Sequence, residues 1–110
     1  LVMHLSHQDI WLDYFMGRQQ EISQLKSGDE LIVRENRCLD KRGVPVVTFS
    51  RAFLNTLEKY RQAGYMPVRA VVNYIVYWRK EGAEKEIRII LPELYVKKRG
   101  TDERHRTGPR

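Results

Sequence analysis

Residues 68–95, VRAVVNYIVYWRKEGAEKEIRIILPELY, decide the fold of this chain. Two runs rich in β-branched and aromatic residues flank a charged, glycine-containing break, Lys80-Glu81-Gly82-Ala83-Glu84. Such side chains restrict their own χ1 and suit a pleated surface, and a break of this kind reads as a hairpin loop. Strict alternation places Val68, Ala70, Val72, Tyr74, Val76 and Trp78 on one face of the first strand. Arg69, Val71, Asn73, Ile75 and Tyr77 take the other. A strand apolar on both sides is expected in the middle of a sheet, covered on each face. In the second run Ile87, Ile89 and Leu91 share one face, and Glu86, Arg88 and Ile90 the other. Pro92 cannot donate a ladder hydrogen bond, so the strand is expected to bend there or lie at an edge.

Upstream of this ribbon, Ser50 is placed to cap a helix over residues 51–63. Its buried stripe is Phe53, Leu54, Leu57 and Tyr60, and Gly64 ends it. Three short strands precede it, Glu30–Arg34, Arg37–Asp40 and Pro45–Phe49, joined by turns at Glu35-Asn36 and Asp40-Lys41-Arg42-Gly43. Ser6, three residues before Asp9, reads as a capping-box start. The spacing of Ile10, Trp11, Tyr14, Phe15, Ile22 and Leu25 predicts one helix from His7 to Leu25, with Gly28 as its stop. Gly17 inside that helix calls for close packing or a mild kink. Leu1–Leu5 is a further short apolar run that can form a strand.

The expected fold class is α+β: a small twisted antiparallel sheet, built as a three-strand meander plus a long hairpin, with two helices. Residues 1–97 form a single domain, and 98–110, charged and without periodicity, form a disordered basic tail.

At 110 residues, 42% apolar and 31% charged, the chain has the composition of one ordinary globular domain. Cys38 is its one cysteine, which rules out an intramolecular disulfide and suits a reducing compartment. No apolar run approaches the ~20 residues of a membrane-spanning helix, and the first residues do not resemble a signal peptide. The expected setting is soluble and cytoplasmic, and a first residue of Leu suggests a piece of a longer protein. The net charge of +6 is concentrated at one end. Residues 97–110 carry six cations against Asp102 and Glu103, which leaves +2 for residues 1–96. A globally basic face is therefore not indicated.

Catalytic signatures are sparse. No G-x-x-x-x-G-K-[ST] or G-x-G-x-x-G motif occurs, so a phosphate-cradling loop for triphosphate hydrolysis is absent from this sequence. His4, His7 and Asp9 lack the further ligands a zinc site needs, and they read as solvent-facing residues at a strand end and a first turn. Arg69, Tyr77, Arg79 and Arg88 supply raw material for a small basic nuclease, but in a chain with 20 basic residues such a set arises easily by chance. Tyr74, Tyr77, Trp78 and Tyr95 interleave with Arg69, Arg79, Arg88 and Lys97. That pairing suits unpaired bases on aromatic faces and phosphates on cations. Tyr74 and Trp78, sharing a face with Val72 and Val76, are better read as core; for Tyr77 and Arg79 both readings stand. Lys97-Lys98-Arg99 can hold phosphate backbone or serve as a linker.

Several segments together resemble one family. LVMHLSHQDIWLDYF (1–15) and QLKSGDEL (24–31) resemble the region after the last motor motif of bacterial helicases related to the RecQ and UvrD groups. LDKRGVPVVTFSRAFLNTLEKYRQAGY (39–65), VNYIVYWRKE (72–81) and IILPELYVKK (89–98) resemble the C-terminal accessory domain of the same proteins. The resemblance covers about nine-tenths of the chain, and its motifs are structural rather than catalytic. It implies a non-catalytic accessory domain of an ATP-dependent DNA helicase, in which Leu1–Leu5 would be the last strand of a motor domain. ATP and magnesium would then belong to the motor, and this chain would carry no cofactor or metal and bind no small-molecule substrate. DNA and the motor domains of the same polypeptide are the implied partners, without a membrane. Arg51, Arg69, Tyr77, Arg79, Lys97, Lys98 and Arg99 are the candidate phosphate-contacting set. A module that docks a protein partner or the motor is the alternative, marked by an exposed apolar patch near Trp11, Phe15 or Trp78; a standalone nuclease comes third.

Overall fold

The computed structural model describes residues 1–98. Six strands form one antiparallel sheet in the order β1-β6-β5-β2-β3-β4. They are β1 (Val2–His4), β2 (Glu30–Arg34), β3 (Arg37–Leu39), β4 (Pro45–Thr48), β5 (Tyr65–Trp78) and β6 (Ile87–Lys98). The helices are α1 (Gln19–Ile22) and α2 (Arg51–Gln62), with 3-10 turns at His7–Asp9 and Leu12–Arg18. The α+β class, the meander and the long hairpin stand as expected, and β1 adds a sixth strand. The resemblance assigns Leu1–Leu5 to a preceding motor domain, whereas β1 here pairs with β6 of the same sheet.

β2 links the two halves of the curled sheet through staggered pairing on its two edges. Glu30 and Leu31 pair with Val71 and Ala70 of β5, while Ile32, Val33 and Arg34 pair with β3. Met3, Leu94, Ala70 and Leu31 are successive cross-strand partners, forming a row across four strands that points into the core. On the opposite face the same strands carry a polar row of His4, Glu93, Val71 and Glu30.

Residues 1–11 then reach both margins of the sheet. Val2–His4 lie along β6, and Ile10 bridges Phe49 just beyond β4. Trp11 N donates to Thr48 O at 2.8 Å and Ser50 N to Asp9 O at 2.9 Å. This contact overturns the single helix expected over 7–25. Ile10 is extended (φ −127°, ψ 156°), so the helical path breaks after one turn. The capping box forms as expected, with Ser6 N donating to Asp9 Oδ2 at 2.8 Å, but it caps only that turn. The chain resumes as a 3-10 helix through Gly17, which is exposed and makes no close packing, and α1 ends at Ile22 rather than near Gly28. Phe15 and Ile22 are fully buried, so most of the stripe survives the change of helix type.

The long hairpin departs from strict alternation. Two register shifts, between Pro67 and Arg69 and between Val72 and Tyr74, leave Val68 and Asn73 as extra residues on β5. A bulged residue reverses which side chains share a face. Ala70 and Val72 therefore face the same way as Leu94 and Pro92, whereas Tyr74, Val76 and Trp78 go with Leu91, Ile89 and Ile87 on the other side. The expected single face of Val68, Ala70, Val72, Tyr74, Val76 and Trp78 is thus split in two. Tyr74 is 60% exposed, which corrects its core reading, while Trp78 packs against the core from the groove side.

Pro92 is fully buried on an interior strand rather than at an edge. Val72 directs its own amide and carbonyl to Asp29 and Gly28, at 2.8 and 2.7 Å, so the Val72–Pro92 pair exchanges no backbone bond and loses none to the proline. Pro92 faces β1 instead. Its carbonyl accepts from Leu5 N at 3.0 Å, it has no N–H to return, and the β1 ladder ends there.

Beyond that end, the Gln19 side chain takes over the edge of β6. Its Nε2 donates to Arg88 O and Phe15 O, each at 2.8 Å, and its Oε1 accepts from Arg88 N at 2.8 Å. One amide group thereby imitates a strand residue.

α2 follows the expectation. Ser50 Oγ accepts from Phe53 N at 3.2 Å and donates to Gln8 O at 2.8 Å; Phe53 and Leu57 are buried. Gly64, at φ +96°, turns the chain into β5. β6 includes Lys98, and the rest of the expected tail lies outside the described residues.

Replacing Gln19 by Met, close in size but without the amide, should lower stability by about 1–3 kcal/mol, because two backbone groups of Arg88 lose their partner. Urea unfolding of both proteins measures this, and an unchanged midpoint would show that water serves the edge equally well.

Candidate functional site

An open groove of about 640 Å³ lies where three parts of the chain meet. The N-terminal segment contributes Ile10, Trp11, Leu12 and Asp13. The β4–α2 junction supplies Thr48 to Arg51 together with Leu54. From the end of the long hairpin come Trp78 and Lys80. The extended backbone at Ile10 explains the first wall. Alternation sends Ile10 into the core, 3% exposed, and turns Trp11 outward, 55% exposed. Tyr14 supports the indole at 6.1 Å between ring centroids, and Arg18 lies over the Tyr14 ring at 5.6 Å. Its Nε donates to the phenol oxygen at 3.4 Å, a contact that raises the Arg18 pKa and keeps its charge secure. Trp11 therefore packs beside Tyr14, whose hydroxyl also donates to Pro45 O at 3.5 Å.

The rim carries two cations. Arg51 occupies the first turn of α2, where no acidic residue offsets the positive end of the helix, and no carboxylate pairs with it among the described residues. Lys80 Nζ sits 3.1 Å from Asp13 Oδ2 across the groove mouth. Both side chains are about half exposed, so the pair contributes little to stability and can open readily.

The candidate residues expected to form one phosphate-contacting surface fall into separate places. Arg51 is on the groove rim. Tyr77, 68% exposed, and Arg79 are at the far end of β5, with Tyr77 opposite Arg88. Arg69 lies on the open face of the sheet, where its Nε is 3.3 Å from Glu30 Oε2 and its guanidinium covers the Tyr95 ring at 4.5 Å. Glu93, next to it on that face, pairs with His4 at 3.5 Å. Cations there are interleaved with carboxylates. Lys97 and Lys98 lie opposite Met66 and Tyr65, with Lys98 Nζ 5.7 Å from the Tyr65 ring. Twelve residues of strand separate Tyr65 from Tyr77, about 40 Å of extended chain. Arg99 lies outside the described residues. The structure brings Arg51 together with Trp78, but it does not join these residues into one stripe.

Of the residues lining the groove only Arg51 belongs to the candidate set; Trp11, Asp13, Trp78 and Lys80 do not. Sequence periodicity put Trp11 on a buried helical stripe. No local signal marks Ile10 as extended, since the cause is pairing with a segment 39 positions away. Of the other two aromatics that would mark a docking patch, Phe15 is fully buried and Trp78 lines the groove.

The four residues considered for nuclease chemistry do not converge. Tyr77 and Arg88 oppose each other on one face of the ribbon, while Arg69 is on the other, about 26 Å away along β5. Cys38 is buried, and burial pushes its thiol up from 9.0 to about 12. Among the described residues no group of three or more His, Cys, Asp or Glu can hold a metal ion, and no helix is long and apolar enough to cross a membrane. No protein-family model, curated protein or solved structure matches the chain.

Cys38 should resist a disulfide-exchange reagent in the native protein at neutral pH and react once the protein is unfolded. A thiol pKa raised on folding gives stability that is complete below the unfolded value of 9.0 and lost as pH climbs toward about 12. The stability difference between the wild-type protein and Cys38→Ala should therefore shrink over that interval, which denaturant titrations at stepped pH can follow.

Proposed function

We propose that this chain is the non-catalytic accessory domain of an ATP-dependent DNA helicase of the bacterial cytoplasm and that it contacts DNA. The motor elsewhere in the polypeptide supplies nucleotide-driven movement, with ATP and magnesium bound there. The reading rests on the family resemblance and on one observation. Arg51, Lys80 and the exposed indole of Trp11 share a single open groove with the half-buried Trp78, which combines phosphate-holding charge with a flat stacking surface. The DNA contact is accordingly centred on that groove, with Tyr77 and Arg79 at the nearby hairpin end and Lys97, Lys98 and Arg99 as a second, electrostatic contribution.

Docking of a protein partner, or of the motor itself, is the second reading. The groove's apolar wall and the exposed Trp11 favour it.

Salt titrations with labelled single- and double-stranded DNA separate the two. If Arg51 and Lys80 each neutralise one phosphate of a single strand, log affinity should fall against log salt with a slope of about −1.4 from these two contacts, and Arg51→Ala should reduce it by about 0.7. No detectable affinity at low salt defeats the DNA reading and leaves docking.

A further inference from the structure

Resting on the reading that the chain contacts DNA, we infer that the groove holds a short single strand, with one unpaired base stacked on Trp11 and flanking phosphates taken by Arg51 and Lys80. Asp13 is the residue that this strand must displace.

The indole of Trp11 is exposed on the groove wall with Tyr14 beside it, so a flat ligand meets an accessible aromatic face. A base inside a duplex has both faces covered by its neighbours and cannot reach an indole in a groove, whereas an unpaired base can. Stacking uses the π face that every base possesses, so no strong base preference is expected.

Charge sets the ligand's extent. At the Trp11 end the rim is Arg51 and Lys80. Past Asn36 and Leu54 the groove adjoins a smaller depression lined by Glu35, Glu58 and Arg61, where Glu58 pairs with Arg61 at 3.4 Å. With Glu58 balanced by Arg61, Glu35 leaves that depression with a net negative charge, which opposes continuation of a polyanion and limits the bound segment to a few nucleotides. Asp13 competes for the same ammonium that a phosphate would use, since Lys80 lies 3.1 Å from its carboxylate. Exchange of one anionic partner for another leaves Lys80 paired throughout.

The chain contains two tryptophans, Trp11 and Trp78, and both line this groove, so intrinsic emission reports its occupancy directly. The experiment uses the full chain with end-labelled oligothymidylates of increasing length and a duplex of matched length. Anisotropy of the label measures binding anywhere on the protein, and tryptophan emission measures binding in the groove.

The expected result is emission quenched in step with anisotropy, affinity levelling off after a few nucleotides, and weaker binding of the duplex without quenching. Trp11→Ala should weaken single-strand binding roughly tenfold, Trp11→Phe should retain part of it, and Asp13→Asn should tighten it. Because Trp11 and Asp13 are exposed, circular dichroism should show all three variants folded. Anisotropy that rises while emission and the Trp11 variants stay unchanged places DNA elsewhere and overturns this inference, leaving the broader DNA reading intact. Equal quenching by the duplex overturns it as well. Absence of any anisotropy change at low salt ends both.

Discussion

The long ribbon of β5 and β6 buries one face at its base and the opposite face toward its tip. At the base, Ala70, Val72, Pro92 and Leu94 fill the core, while Arg69, Glu93 and Tyr95 look outward with their ion-pair and ring contacts. Toward the tip, Trp78, Val76 and Ile89 turn inward, and Tyr77 is left in solvent. Ile89 and Ile90, which point to opposite sides, are both fully buried where the exchange takes place. The exchange is a consequence of strand twist and of the extra residue Asn73, which resets the alternation of β5 against an unbroken β6. With two faces to cover at two positions, the rest of the chain has to wrap around the ribbon, and the sheet curls.

Residues 1–11 complete that wrapping by hydrogen bonding to both margins of the sheet. Pro92 sets where the first contact ends, because its missing amide cannot continue the ladder past Leu5. The chain then turns through the Ser6 capping box and reaches Phe49, where Ile10 must be extended to pair. One backbone conformation therefore has two results: a covered edge beside β4 and an indole turned outward beside Arg51. The groove is a by-product of closure, formed from residues whose neighbours in sequence are structural. Gln19 covers the remaining edge of β6, so a side-chain amide finishes what β1 leaves open.

Much of the architecture was legible one residue at a time. The strands of the meander, the Ser50 cap, the α2 stripe and the turn glycines depend on propensities and hydrogen bonds that span a few positions. The structure keeps them with shifts of a residue or two at their ends. Tyr74 and Trp11 were misplaced for a different reason. An unbroken period, of two for the strand and 3.6 for the helix, places both in the core, and each lies next to a break in that period created by a distant partner. The candidate cations suffered likewise. Arg69 reads as an available charge until Glu30 and Tyr95, brought alongside by pairing with β2 and β6, are seen to occupy it.

By itself the sequence determined that this is an α+β domain built on a long antiparallel ribbon, that it carries no G-x-x-x-x-G-K-[ST] or G-x-G-x-x-G motif, and that its excess charge is gathered at one end. These properties reside in composition, local period and motif spacing, which need no knowledge of what packs where. Only the tertiary structure decided which face of the ribbon is buried at each point, that the first helix is broken, and that Trp11, Trp78, Arg51 and Lys80 surround one groove. Those outcomes depend on hydrogen bonds between segments tens of residues apart, and a bulge or a bridge shifts every side chain beyond it without leaving a mark in the local pattern.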